Sequence, residues 1–254
     1  MSLTTIIILT LLFALAGFID SIAGGGGLVS LTSLYAAGLP PINAVSTNKF
    51  SMTFGTVFAT INYAREKKII WKLCFTSIPF ALVGSSIGAQ LALRYADTFL
   101  RYMLLIVLPV LTVLTLKKKE EKKGRLISNN FDITAMAYII SAIASFVIGL
   151  YDGFFGPGTG TFYTILFSFM GLPLIFSAGT TKVLNLTSNI AAFVTFIING
   201  TIFFNVGLPC AIASIIGNIL GSNYAIKKEG KAIKKLLVIV IALLYIKIVS
   251  ELIF

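Results

Sequence analysis

Gly17-Phe18-Ile19-Asp20, with Gly24, Gly25, Gly26 and Gly27 just beyond it, is echoed by Gly149-Leu150-Tyr151-Asp152, with Gly156-Pro157-Gly158-Thr159-Gly160 just beyond that. Each stretch closes a long apolar run with an aspartate and then a glycine cluster. Consecutive glycines do not hold a helix, and Pro157 has no N–H to donate, so both runs should break directly after the acid. The two aspartates are 132 residues apart. Past the glycines the offset is 133: Thr47-Asn48-Lys49 falls on Thr180-Thr181-Lys182, and Gly84 and Gly88 fall on Gly217 and Gly221. Arg94 meets Lys227 and Arg101 meets Lys234 in the same register. The chain therefore reads as two related halves.

Working outward, apolar runs with few or no charges mark segments at 3–23, 28–37, 44–64, 73–93 and 99–116, then 133–151, 160–170, 178–198, 208–226 and 236–254. A helix that spans a bilayer needs about 20 residues, so the segments at 28–37 and 160–170 are too short and read as half-helices. Hydrophobic residues make up 57% of the 254 and charged residues 11%, against roughly 25% charged in soluble domains. Mean hydropathy is +0.97. The expected fold is an all-α polytopic membrane protein with 8–10 crossings. Residues 1–116 form the first repeat, 117–130 a basic linker and 131–254 the second repeat, together one transmembrane unit. No basic n-region precedes the first apolar run, so a cleaved secretory leader is not expected.

Charge sets the expected orientation. The linker Lys117-Lys118-Lys119-Glu120-Glu121-Lys122-Lys123-Gly124-Arg125 holds six cations against two anions and belongs in the cytoplasm. Arg65-Glu66-Lys67-Lys68 with Lys72 is basic, whereas its counterpart at 199–207 carries no charge. Lys227-Lys228-Glu229-Gly230-Lys231 with Lys234 and Lys235 is strongly basic, whereas its counterpart at 94–101 is not. The halves therefore read as inverted, five segments each, with both termini outside.

Composition also excludes. The net charge of +11 sits in loops as orientation signals, without an aromatic-basic nucleic-acid module, so no nucleic-acid partner is expected. With no histidine there is neither a His-ligated metal site nor a His-based triad. Cys74 and Cys210 are isolated and read as small buried hydrophobes. No Walker motif is present, and no cofactor is expected.

The candidate site follows from polar residues at membrane depth. Asp20 and Asp152 are assigned proton or ion coupling, because carboxylates in apolar surroundings face a wet cavity or a partner. An interfacial cap is the structural alternative. Gly24, Gly25, Gly26, Gly27, Gly156, Pro157, Gly158 and Gly160 are expected to line a substrate site, since broken helices in matching positions mark such sites in transporters built from inverted repeats. The N–H groups opening each half-helix can hold an anion. Thr47, Asn48, Lys49, Thr180, Thr181 and Lys182 place an ammonium beside directed hydrogen-bonding groups, which suits an anionic substrate. Snorkelling of the lysines to the interface is the alternative. Asn185, Ser188 and Asn189 extend a polar stripe along the same helix. Gly84/Gly88 and Gly217/Gly221 read as helix-packing patterns, compatible with a homodimer as well. Lys247 and Glu251, one turn apart, read as a local ion pair.

These residues resemble the TauE/SafE family of membrane permeases. The resemblance covers nearly the whole chain. It rests on Gly17–Asp20 with the first glycines, Gly38-Leu39-Pro40-Pro41, Ala44-Val45-Ser46-Thr47-Asn48-Lys49, the 149–160 stretch, Gly171-Leu172-Pro173 and Ala178-Gly179-Thr180-Thr181-Lys182-Val183-Leu184-Asn185. It implies secondary transport of small anions such as sulfite, organosulfonates or related sulfur and carbon acids, in a prokaryotic plasma membrane, by a protein that is not an enzyme. Proton-coupled alternating access is the expected mechanism. An anion channel or uniporter is the alternative reading, and an intramembrane enzyme built on Asp20 and Asp152 a more distant one.

Overall fold

The computed structural model describes residues 1–116, 126–127 and 132–228, with side chains outside 96–116. Among them the chain forms eight α-helices: α1 (Leu3–Ala23), α2 (Gly26–Ala36), α3 (Pro41–Arg65), α4 (Trp71–Leu116), α5 (Ala135–Phe154), α6 (Thr159–Met170), α7 (Leu174–Ile198) and α8 (Phe204–Lys227). Their starts follow from local chemistry. Ser2 and Thr134 each accept the N–H three residues on, capping α1 and α5. Pro41 at the head of α3 loses no helical hydrogen bond, because the first-turn N–H groups have no partner anyway.

The expected breaks are present. α1 stops at Gly24, whose φ of 76° is a left-handed conformation natural to glycine, and α2 starts two residues later. α5 ends at Phe154, and α6 follows from Gly158 at φ 84°. Gly24 and Gly160 lie against each other. A Cβ on either would strike the other's backbone, so the two broken regions meet in space.

Two expected features differ. The segments at 73–93 and 99–116 are one continuous helix, α4, because 94–98 holds neither glycine nor proline and nothing there interrupts the ladder. α3 is long enough to span, yet it does not count among the apolar spans. Those are α1, Trp71–Tyr95 of α4, α5, α7 and α8, with mean hydropathies from 1.3 to 2.4. α3 is polar because its hydroxyls and amides turn inward: Ser46, Thr47, Ser51 and Thr56 are fully buried. Large apolar side chains point the other way, with Leu11, Phe75 and Ile212 all more than 60% exposed. A polar interior inside an apolar rim is the arrangement a lipid solvent selects. The segment at 236–254, the linker 117–125, and Lys247 with Glu251 lie outside the described residues.

Helices pack in a crossed pattern, α1 on α8 and α5 on α4. Glycines allow the close approach. A Cβ on Gly84 or Gly88 would meet the carbonyls of Phe146 or Leu150 on α5, and one on Gly217 or Gly221 would meet those of Ala14 or Phe18 on α1. The small-residue patterns therefore work inside the chain, the last described helix of each half against the first of the other. Gly88→Leu is expected to lower thermal stability in detergent by about 1–3 kcal/mol or more, as overpacking against backbone does, while Ile212→Leu on the apolar rim leaves the melting curve in place. Equal melting temperatures for Gly88→Leu and the wild type would show that α4 and α5 are not in this contact.

Candidate functional site

The four ionisable residues singled out from the sequence form two ion pairs, and both pairs cross between the halves. Lys49 Nζ on α3 lies 2.7 Å from Asp152 Oδ1 on α5, and Lys182 Nζ on α7 lies 2.7 Å from Asp20 Oδ2 on α1. All four are at least 96% buried. Burial rules out snorkelling for the lysines and an interfacial cap for the aspartates. The local sequence explains the placement. The breaks after α1 and α5 hold the last turns of those helices at depth, and α3 and α7 carry their lysines inward on polar faces.

The surroundings of the two pairs differ. Asp152 accepts hydrogen bonds from Thr159 Oγ1 and Ser188 Oγ, each at 2.6 Å, one on either oxygen. Lys49 also donates to Asn189 Oδ1 at 2.8 Å. In the other half, Lys182 donates to the Asp20 carboxylate and, at 2.5 Å, to the Asp20 backbone carbonyl. Offset by 133, Ser188 corresponds to Gly55 and Thr159 to Gly26, so the hydroxyls that serve Asp152 have no equivalents beside Asp20.

Between the broken helices lies a cavity of about 20 Å³. That is room for about one water molecule. Asp20, Gly24, Gly27, Asn48, Lys49, Met52, Asp152, Gly156, Gly160, Asn185 and Asn189 line it. Ten of the residues expected at the site thus converge there. Asn48 Oδ1 is buried without a protein hydrogen-bond partner, so this amide addresses the cavity.

Other expected residues sit outside the lining. Lys182 stands behind Asp20. Thr47 and Thr180 hold loops: Thr180 Oγ1 accepts the Ile70 N–H at 3.1 Å, and Thr47 Oγ1 accepts the Phe203 N–H at 3.0 Å. These two bonds occupy matching places in the two halves. Thr181 meets Thr164 Oγ1 at 3.3 Å. The Pro157 carbonyl accepts from Tyr151 Oη at 2.6 Å, which pins the second break. Gly25, Gly26 and Gly158 shape the turns, with Gly26 pressed against Ala16 and Asp20. Thr159 and Met52 were missed from the sequence. Thr159 lies within the glycine cluster, and a hydroxyl opening a helix seven residues after an acid was the available signal. Met52 gave none.

Chemically, the site is a small polar cavity bounded by glycine backbone, three asparagine amides and ionisable side chains that pair, lysine with aspartate.

Comparison with known proteins agrees with this architecture. Residues 9–248 match the family model described as sulfite exporter TauE/SafE. A probable membrane transporter protein, ORF9, of Sinorhizobium sp is 35% identical over 93% of this chain and 89% of its own length. The probable membrane transporter protein YfcA of Escherichia coli K12 is 35% identical over 93% of this chain and 87% of its own. A probable membrane transporter protein of Haemophilus influenzae is 30% identical over 93% and 91%. No solved structure matches. With several long apolar helices, a match along nearly its whole length and relatives aligned end to end, the chain is a multi-pass membrane transporter belonging to the sulfite exporter TauE/SafE family.

Proposed function

We propose that the protein is a secondary permease that moves small anions, such as sulfite, organosulfonates or related sulfur and carbon acids, across the plasma membrane. It works by alternating access and couples the movement to protons. The observation that carries this reading is the pair of crossed ion pairs around one cavity, Lys49 with Asp152 and Lys182 with Asp20. Two buried ammonium groups supply the charge an anion needs, and the amides of Asn48, Asn185 and Asn189 supply directed hydrogen bonds. Each aspartate holds a lysine while the site is empty and competes with the substrate for it. The half-helices α2 and α6 begin beside the cavity, in the broken-helix arrangement that places substrate at mid-membrane in transporters with inverted repeats. A cavity that admits about one water fits an occluded state better than an open pore. The basic loop at 65–72 faces the cytoplasm on this reading.

Two experiments test it. Purified protein in liposomes containing a pH-sensitive dye is given sulfite, thiosulfate, sulfoacetate or isethionate under an imposed pH gradient. A substrate-dependent proton flux is expected for at least one of them. Anion movement with no proton flux would make the protein a uniporter or channel.

The second experiment separates fold from transport. Lys49→Met alone strands a buried carboxylate and is expected to cost about 3–5 kcal/mol of stability. Lys49→Met with Asp152→Asn removes both charges and is expected to recover much of the lost melting temperature without recovering transport. Wild-type transport by the double variant would remove Lys49 from the anion site.

A further inference from the structure

The two ion pairs are equivalent in sequence but not in their surroundings. Resting on the transport reading above, we infer that Asp20 is the carboxylate that takes up the coupling proton, that Asp152 stays ionised as a fixed counter-charge, and that a monoanion enters together with one proton, so that its transport is electroneutral.

The charge count comes first. Lys49, Lys182, Asp20 and Asp152 sum to zero in a buried site, so a monoanion entering alone would leave an uncompensated negative charge away from water. Two of the three ionised groups that line the cavity are carboxylates, Asp20 and Asp152, against the single ammonium of Lys49. An incoming anion therefore gains no net charge attraction from the site until one carboxylate is neutralised. Protonating one leaves the four residues at a net charge of +1, which one negative charge balances.

Hydrogen bonding then selects the carboxylate. Both oxygens of Asp152 already accept from hydroxyls, Thr159 on one and Ser188 on the other, and Lys49 adds a third donor. All three groups donate to the ionised form and favour it over the protonated one. Each hydroxyl has one proton and a second acceptor nearby, the Asn185 carbonyl at 3.1 Å for Ser188 and the Gly156 carbonyl at 2.7 Å for Thr159, and each lies closer to the Asp152 carboxylate, at 2.6 Å. Among the described residues Asp20 has one side-chain donor, Lys182, and that donor is also satisfied by the Asp20 backbone carbonyl. Lys182 can therefore release the carboxylate without losing every partner. The charged and titratable groups around Asp20 are Lys182 from α7, Lys49 of α3 and Asp152 of α5 across the cavity, and Tyr63 of α3, whose hydroxyl donates to the Ser21 carbonyl. Asp20 borders the cavity while Lys182 stands behind it, so a proton delivered from the cavity reaches the carboxylate directly.

The test uses isethionate and methanesulfonate, strong-acid monoanions at every pH employed, with wild-type protein in liposomes. Net uptake is expected to follow an inwardly directed proton gradient and to be unaffected by a potassium diffusion potential set with valinomycin. Exchange of labelled for unlabelled sulfonate is expected to slow as pH rises in the wild type. In Asp20→Asn, whatever exchange remains is expected to be independent of pH and net uptake to ignore the proton gradient. Asp152→Asn is expected to lose binding of the anion itself, read as loss of its thermal stabilisation by isethionate. Wild-type uptake that responds to the diffusion potential overturns the inference, whatever the variants do. So does an exchange of roles, with Asp152→Asn carrying the pH-independent exchange. Transport of dianions such as thiosulfate, with neither monosulfonate moved, overturns it while leaving the permease reading intact. If no anion is moved at all, the permease reading falls and takes the inference with it.

Discussion

An ionised side chain at the middle of a bilayer costs about 2.5–3.5 kcal/mol even on lenient insertion scales, and this chain buries four of them together. They are tolerable because each lysine of one half meets an aspartate of the other at 2.7 Å. Much of the architecture follows from that crossing. The lysine helices α3 and α7 must sit inside, so they are polar. The aspartate helices α5 and α1 must end at depth, so glycines break them. Each half's charges are neutralised by the other half, which ties the two together electrostatically. The glycine contacts of α4 on α5 and α8 on α1 tie the same halves together in the apolar layer.

Much of this was legible before any coordinates. Hydropathy, the broken helices after Asp20 and Asp152, and the matching Lys49 and Lys182 could all be read from spacing, because a glycine cluster and a charge in an apolar run are local signals. The pairing was not legible. The spacing is equally compatible with each lysine meeting the aspartate of its own half or reaching for the interface, and only the three-dimensional pairing of α3 with α5 and α7 with α1 decides between these. The roles of Thr47 and Thr180 were hidden for the same reason, since a hydroxyl beside a lysine reads as a substrate ligand until a distant loop N–H is found on it. The continuity of α4 was obscured by charge: Arg94, Asp97 and Arg101 read as a loop between spans, although none of them breaks a helix.

The repeat also explains how symmetry and asymmetry coexist here. Backbone features come in matched pairs: the breaks, the short helices, the threonine-held loops. Side chains around the charges do not. Gly55 stands where the other half has Ser188, and Gly26 stands where it has Thr159. The packing differs with them: a Cβ on Gly55 would strike Ser214, and one on Gly26 the Ala16 carbonyl, so neither site has room for the hydroxyl side chain of its counterpart. The two carboxylates are held differently as a result.

That division constrains any transport cycle on the proposed reading. A cavity with room for one water has to enlarge to admit an oxyanion, and the backbones of Gly24 and Gly160 meet in its wall. Gly24 N–H donates to the Asp20 carbonyl, and Thr159, beside Gly160, donates to the Asp152 carboxylate, so a displacement that parts the glycines also strains the ion pairs. Opening both pairs at once would leave four unmatched charges in a low-dielectric interior, whereas opening one at a time leaves two, with the substrate on hand to balance one of them. A pair anchored by two hydroxyls and an asparagine resists such strain better than one with a single side-chain partner. The order of events is therefore built into the contacts: the Asp20–Lys182 side yields first, while Asp152–Lys49 keeps the halves in register.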